Sequence, residues 1–286
     1  DAVTAIAKSV RRSRAGLTHH LSSDKRITNK RRARAKSITN VGRDREPGVK
    51  PSAFDYAKPR TLRDAFALLA RHGEDAKIVA GGQSLLPAMN MRLAAPAILV
   101  DISAIPDLAG ISVQGGRLRI GAATRQREIE TSPDVARHAP LLAKAIPYVA
   151  HAAIRNRGTV GGNLAHADPA SELPACMVAL GAAINIAGPN GTRTVAADSF
   201  FRGVYETDLK QGEVLVSVDI SIPSPDTRVS FQELVRRHGD YAMVGLAAVA
   251  KVVDGKIPNA RFVFFAVSDR PVLAAAAARA VAGKSS

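Results

Sequence analysis

Apolar residues recur at helical spacing in Leu62, Ala65, Phe66 and Leu69, which predicts a short amphipathic helix. Thr61 fits its N-cap, Asp64 the third position, and Gly73 its stop. Lys77 to Ala80 and Ala97 to Ile102 read as short buried strands, with a helix from Leu85 to Leu93 between them. Pro87 confines that helix to a start or a kink. Arg117 to Ala122 alternates like a half-exposed strand. His138 to Ile154 keeps helical spacing through Leu141, Leu142, Ala145, Ile146, Val149 and Ala150, with a kink expected at Pro147. A further helix is expected across Leu173 to Leu180. Ala183 to Ala187 and Arg193 to Ala197 flank Gly188-Pro189-Asn190-Gly191 as a hairpin. Strands are expected at Val214 to Ile222, Val229 to Arg237, Val244 to Val253 and Arg261 to Val267, with Pro223 and Pro225 marking a boundary. Helices and strands mix without regular βαβ alternation, so the pattern predicts an α+β fold.

The chain has 286 residues, enough for two domains. No apolar run reaches the ~18 to 20 residues that a membrane helix needs. A single cysteine, Cys176, excludes a disulfide framework or a multi-thiolate metal site within this chain and fits a reducing compartment. The net charge of +15 is concentrated at one end. Residues 1–50 hold 14 Lys or Arg against 4 Asp or Glu, and the rest hold 26 against 21. Ser9 to Ser37 has no sustained period and no aromatic ring to stack on a base. It reads as a disordered extension; phosphate binding and targeting are the other readings of such a composition.

Two glycine pairs carry the chemical signal: Lys77 to Ser84 (KIVAGGQS) and Thr159 to Asn163 (TVGGN). Each is expected as a loop ahead of a helix. Glycine admits positive φ and close approach, and successive N–H groups form an anion nest. Ser84, Thr159 and Asn163 can add hydrogen bonds, so two such loops suit a diphosphate gripped from both sides. Neither is the dinucleotide fingerprint or the P-loop, and a lone glycine pair is usually a tight turn. His166 and Asp168 read as a polar loop beside the second pair. Arg155 and Arg157 are equally open to phosphate and to a solvated face, and Cys176 reads as core.

KIVAGGQSLLPAMNMRL, then AILVDIS, then AAIRNRGTVGGNLAHADPASELPA resemble the flavoprotein subunit of the xanthine dehydrogenase and carbon monoxide dehydrogenase family, the molybdenum hydroxylases. The resemblance runs from about Phe54 to Val267. It implies an FAD domain of the vanillyl-alcohol-oxidase type in two subdomains, 51–105 and 106–225, and a small α+β C-terminal domain at 226–286 that looks shortened.

Carried onto this sequence, Ala80, Gly81, Gly82, Gln83 and Ser84 match the first FAD loop, with Lys77 the basic position before it. Thr159, Val160, Gly161, Gly162 and Asn163 match the second loop. Glu172 matches an acidic FAD contact, and Tyr241 a position near the flavin ring. Glu233 stands where a Lys would contact FAD, so no contact is assigned to it. The resemblance also implies a large molybdenum-pterin subunit, a small [2Fe-2S] subunit and a dimer of heterotrimers. Such a complex would be cytoplasmic, at most peripheral to the inner membrane face. Catalytic residues and metal ligands are expected on the partners, and FAD here. The other readings are a self-contained flavin oxidase of the same fold and a nucleic-acid binder acting through the basic tail.

Overall fold

Thr61 has extended backbone and its hydroxyl accepts the Asp64 N–H at 3.1 Å, so the first helix is capped as expected. The computed structural model describes residues 50–285; the basic tail and every reading attached to it lie outside that range. After β1 (Asp55–Ala57), helix α1 (Leu62–His72) buries Ala65 and Leu69. Gly73 ends it with φ of 54°, donating its N–H to Leu69. β2 (Ala76–Val79), α2 (Leu85–Asn90) and β3 (Ile98–Asp101) follow. β1 and β2 both pair parallel with β3, whose four residues are all buried. Their carboxyl ends therefore share one edge, the edge at which ligands meet open α/β sheets. Residues 80–84 leave β2 there.

β4 (Ile111–Gln114) and β5 (Arg117–Gly121) form a hairpin through Gly115 and Gly116, both with positive φ. The helix expected over 138–154 is broken. After α3 (Gln126–Thr131) and α4 (Pro133–His138), its place is taken by α5 (Pro140–Ala145), a 3₁₀ turn at Ile146–Tyr148, and α6 (Ala152–Arg155). Ala139, placed before Pro140, cannot stay helical and takes φ −137° and ψ 59°. Pro147 opens the 3₁₀ turn rather than kinking a continuous helix, and Ala150 turns left-handed at φ 46°. The apolar spacing still served packing, because Leu141, Leu142, Ala145, Ile146 and Val149 are all buried.

Next come α7 (Val160–His166), α8 (Glu172–Leu180), β6 (Ala183–Gly188) and β7 (Gly191–Ala196). α9 (Ala197–Phe200), β8 (Phe201–Gly203), β9 (Glu206–Thr207) and β10 (Val214–Ser221) complete this region. Five strands form an antiparallel sheet in the order β4-β5-β10-β6-β7.

β11 (Thr227–Leu234), β12 (Val244–Lys251), β13 (Ala260–Phe265) and β14 (Val272–Leu273) make a second antiparallel sheet, followed by α10 (Ala275–Val281). α8, buried at all but its last residue, packs on β12 and β13. The main apolar cluster runs through it from Leu118 and Ile184 to Phe231, Ala247 and Phe265. The Phe231 and Phe265 rings stack at 5.7 Å. The fold is α+β, and the C-terminal sheet shares its core with the five-stranded region.

Candidate functional site

Residues 80–84 cross from the edge of β2 to α2, and Gly82 takes φ of 71°, a conformation that suits glycine. Among the described residues, the N–H groups of Gly81, Gly82, Gln83 and Ser84 meet no protein acceptor. Ser84 occupies the cap position of α2, yet its hydroxyl makes no cap bond. Gln83 is tied back, its amide nitrogen donating to the Gly81 carbonyl at 3.2 Å. Gly81 has a different role. A Cβ there would fall 2.4 Å from the Arg157 carbonyl oxygen and 2.8 Å from the Gly158 Cα. The first motif therefore rests directly on the residues that precede the second.

The second motif is not the loop expected. Thr159 caps α7, accepting the Gly162 N–H at 3.1 Å, and both glycines lie in the first turn with ordinary negative φ. Its donors are claimed by the protein. Val160 N–H reaches Thr124 at 3.0 Å and Gly161 N–H reaches Ala122 at 2.8 Å. Gly161 is required by packing, since a Cβ would sit 2.4 Å from that of Ala122. Gly162 is the exposed member, and a Cβ there would meet only Thr159 Oγ1, at 2.8 Å. Asn163 Oδ1 accepts the Ser171 hydroxyl at 2.9 Å, linking the motif to the start of α8.

Glu172 begins α8 and is 6% exposed. Burial first, then the negative charges of Glu233 and Asp168, push its carboxyl up to about 7. Glu233 lies on β11 two residues after buried Phe231, so both side chains take the inward face of the strand. Both its oxygens are buried without a protein partner among the described residues, and burial pushes it up to about 7 as well. Sequence reasoning left Glu233 out. The available signal was an acid at an inward position of a strand.

Asp168 anchors the turn between α7 and α8 by accepting the Ala170 N–H at 2.9 Å. Beside it, the rings of His166 and Tyr205 stack at 4.8 Å. The Tyr241 ring stands out into solvent between β11 and β12, and partial burial, Asp168, Tyr205 and Glu172 together raise its hydroxyl. The second motif is tied through Asn163 and Ser171 to the start of α8, where Glu172 stands, and the first motif abuts Gly158. Lys77 is exposed on β2, and no ion pair or hydrogen bond ties it to the others. Arg155 is buried and bound to Glu130 at 2.9 Å and to the carbonyls of Val149 and Ala150, which removes it as a phosphate ligand. Cys176 is fully buried on α8, its thiol pushed up by burial, and belongs to the core. No group of three or more metal-ligating side chains occurs among the described residues.

Residues 52–225 match the family model described as the FAD binding domain in molybdopterin dehydrogenase. The chain belongs to that family. Residues 229–286 match a second model, the CO dehydrogenase flavoprotein C-terminal domain. The carbon monoxide dehydrogenase medium chain of Hydrogenophaga pseudoflava is 41% identical over 211 residues, 74% of this chain and 74% of that one. The caffeine dehydrogenase subunit beta of Pseudomonas sp. (strain CBB1) is 38% identical over 225 residues, 78% of this chain and 76% of that one. Among solved structures, the carbon monoxide dehydrogenase of H. pseudoflava that lacks the Mo-pyranopterin moiety aligns with a TM-score of 0.81 at 41% identity, covering 82% of each chain. A molybdopterin dehydrogenase FAD domain needs a place for a diphosphate. Unclaimed donors at 81–84 and an open surface at Gly162 fit one.

Proposed function

We propose that Ala80–Ser84 and Thr159–Asn163 hold the two sides of the FAD diphosphate, with unequal duties. The first motif supplies donors, because its N–H groups from Gly81 to Ser84 are unclaimed and Gly82 holds them in a turn. The second supplies a rigid wall, with Gly162 leaving room for the ligand and the Asn163 amide at its rim. Lys77 adds positive charge on the strand that carries the first motif. Glu172 and Tyr241 are assigned to the flavin end.

The chain is the FAD-carrying medium subunit of a molybdenum hydroxylase. Bound FAD supplies electron transfer, taking electrons from [2Fe-2S] clusters on a partner and passing them to an external acceptor. This chain's residues bind and orient it, and substrate chemistry belongs to the large molybdenum-pterin partner. The finer assembly, a cytoplasmic dimer of heterotrimers with domains at 51–225 and 226–286, is part of the proposal. No helix among the described residues is long and apolar enough to cross a membrane.

The observation that carries the site assignment is the contact of Gly81 with Arg157 and Gly158, which makes one cradle of two motifs. Acid precipitation of the purified full chain tests how the cofactor is held. All yellow colour should enter the supernatant, since no covalent attachment residue is assigned. Anaerobic stopped-flow then separates the two enzyme readings. The chain alone should bleach with dithionite but not with aromatic heterocycles, aldehydes or carbon monoxide. Rapid bleaching by any of these without partners would place a substrate site here.

A further inference from the structure

Gly158 belongs to neither glycine motif, yet it adjoins both. Its Cα lies 2.8 Å from where a Cβ on Gly81 would stand, and the next residue, Thr159, caps α7. One backbone unit therefore stands between the donors at 81–84 and the start of the second motif.

That unit is laid against a template. The Gly158 N–H reaches the Ile154 carbonyl at 2.7 Å, and its own carbonyl accepts the Gln126 N–H at 2.8 Å. Just before it, the Asn156 carbonyl accepts Arg125 Nη1 at 2.8 Å; just after it, Val160 N–H reaches the Thr124 carbonyl at 3.0 Å. Thr124 is fully buried, and its hydroxyl accepts the Gly110 N–H at 2.9 Å and donates to the Gly110 carbonyl at 3.0 Å. Residues 124–126 thus fix the course of 156–160 through the backbone.

The Gln126 side chain adds something those bonds do not require. It is 3% exposed, and its amide oxygen has no hydrogen-bond partner among the described residues. An orphaned polar atom opposes folding, so packing rather than bonding accounts for its place. What it packs against is Gly158. A Cβ there would fall 2.7 Å from that oxygen, 3.1 Å from the Gln126 Cδ and 3.1 Å from the Ile154 carbonyl oxygen. On the surface a glutamine end would swing aside. Enclosed in a dense interior it has little room to do so, and an atom added at Gly158 displaces the backbone on which Gly81 rests.

We propose that Gln126 is a positioning residue of the cradle: its amide backs Gly158 and so fixes how far apart the two motifs stand. It acts through Gly158, since its own oxygen is closed to solvent. The inference rests on the FAD reading above, because a ligand gripped by both motifs is what feels their spacing.

The test uses the full chain as wild type, Gly158→Ala, Gln126→Ala and the double variant. Fluorescence titration reads FAD affinity, phosphorus NMR reads the bound diphosphate, and urea midpoints show that each protein is folded. Gly158→Ala should weaken FAD about tenfold or more and shift both phosphorus resonances. Gln126→Ala removes the backing and the obstruction together, and should weaken FAD about threefold. Adding Gly158→Ala to that background should cost less than about threefold more, because the new methyl group finds room. Equal losses from Gly158→Ala in both backgrounds would overturn the proposal, as would wild-type affinity in folded Gly158→Ala. If Gly158→Ala alone does not fold, Gln126→Ala decides, and wild-type affinity there overturns it. If the wild type binds no flavin, the FAD reading fails by itself. The amide NMR signals of Gly81 and Gly82 in the flavin-free chain then judge the spacing. They should move in Gly158→Ala and return in the double variant; signals unmoved in folded Gly158→Ala would overturn the proposal.

Discussion

The same Gly-Gly letters stand in both motifs, and the molecule uses them for opposite ends. At Gly81–Gly82 the chain bends through a φ of 71° and leaves a row of N–H groups without acceptors. At Gly161–Gly162 the backbone is plain helix, its donors go to Ala122, Thr124 and Thr159, and the first glycine lets α7 sit on the end of β5. One motif is a donor surface and the other a packed wall. A diphosphate site therefore need not be symmetric, and the two halves should fail in different ways.

The largest effect is expected at Gly161. Valine there has no room beside Ala122, so the chain should lose about 3 kcal/mol or more, or not accumulate as folded protein. Urea unfolding within ~1 kcal/mol of the wild type would break the distinction drawn here. Gly82→Val comes next, costing roughly 1 to 3 kcal/mol because a β-branched residue is strained at that φ. Its FAD content should fall to background in folded protein. Gly162→Val should keep more stability than either, since its space is open apart from the Thr159 hydroxyl, and should still lose FAD. Normal flavin content in folded Gly162→Val would remove the second motif from the cradle.

How much of this was legible follows from distance along the chain. The Thr61 cap, the Gly73 stop and the long apolar strands β10 and β12 depend on neighbouring residues, and the pattern located them. β1, β4, β8, β9 and β14 are two to four residues long and exist only through their partners, so no local period announces them. The break at Ala139 was readable from Pro140, while the left-handed Ala150 was not. It is held by Arg155, whose guanidinium binds the Val149 and Ala150 carbonyls from a buried pair with Glu130. The glycine motifs were found, but the reason for Gly161 lies in Ala122, on the far side of four helices. Glu233 was noticed only as a departure from a lysine position, because an orphaned carboxylate is defined by what packs around it.

A further effect separates the two acids, Glu172 and Glu233, from both glycine motifs. Glu172 is raised from its usual 4.5 to about 7 in the folded chain, so the native state binds more protons than the unfolded one. That contribution is fully present below pH 4.5 and is lost as pH rises through about 7. Flavin-free protein should lose roughly 3 kcal/mol over that window. Glu233, pushed up to about 7 by burial, adds a contribution of the same sign over the same window. Glu233→Gln should flatten the slope, and denaturant midpoints at pH 5 and pH 8 will read it; an unchanged slope would argue against coupling between the two acids. The smallest effect is expected of Thr159→Val, about 1 kcal/mol from the lost cap of α7. Flavin affinity should weaken without vanishing, and a fluorescence titration measures it.

The contact between Gly81 and Gly158 also has a meaning for how the chain is made. Ala80 leaves the ribosome long before Tyr241 does, roughly 10 to 30 seconds earlier at about 5 to 20 residues per second. During that interval the nascent chain can already build the parallel sheet and display the unclaimed donors, while the second motif, Glu172 and Tyr241 are still missing. Closing the proposed cradle waits on contacts between distant parts of the chain, and such contacts form late. Flavin capture is then an event of the finished polypeptide, and any fragment released before β11 should be colourless however well its first sheet has folded.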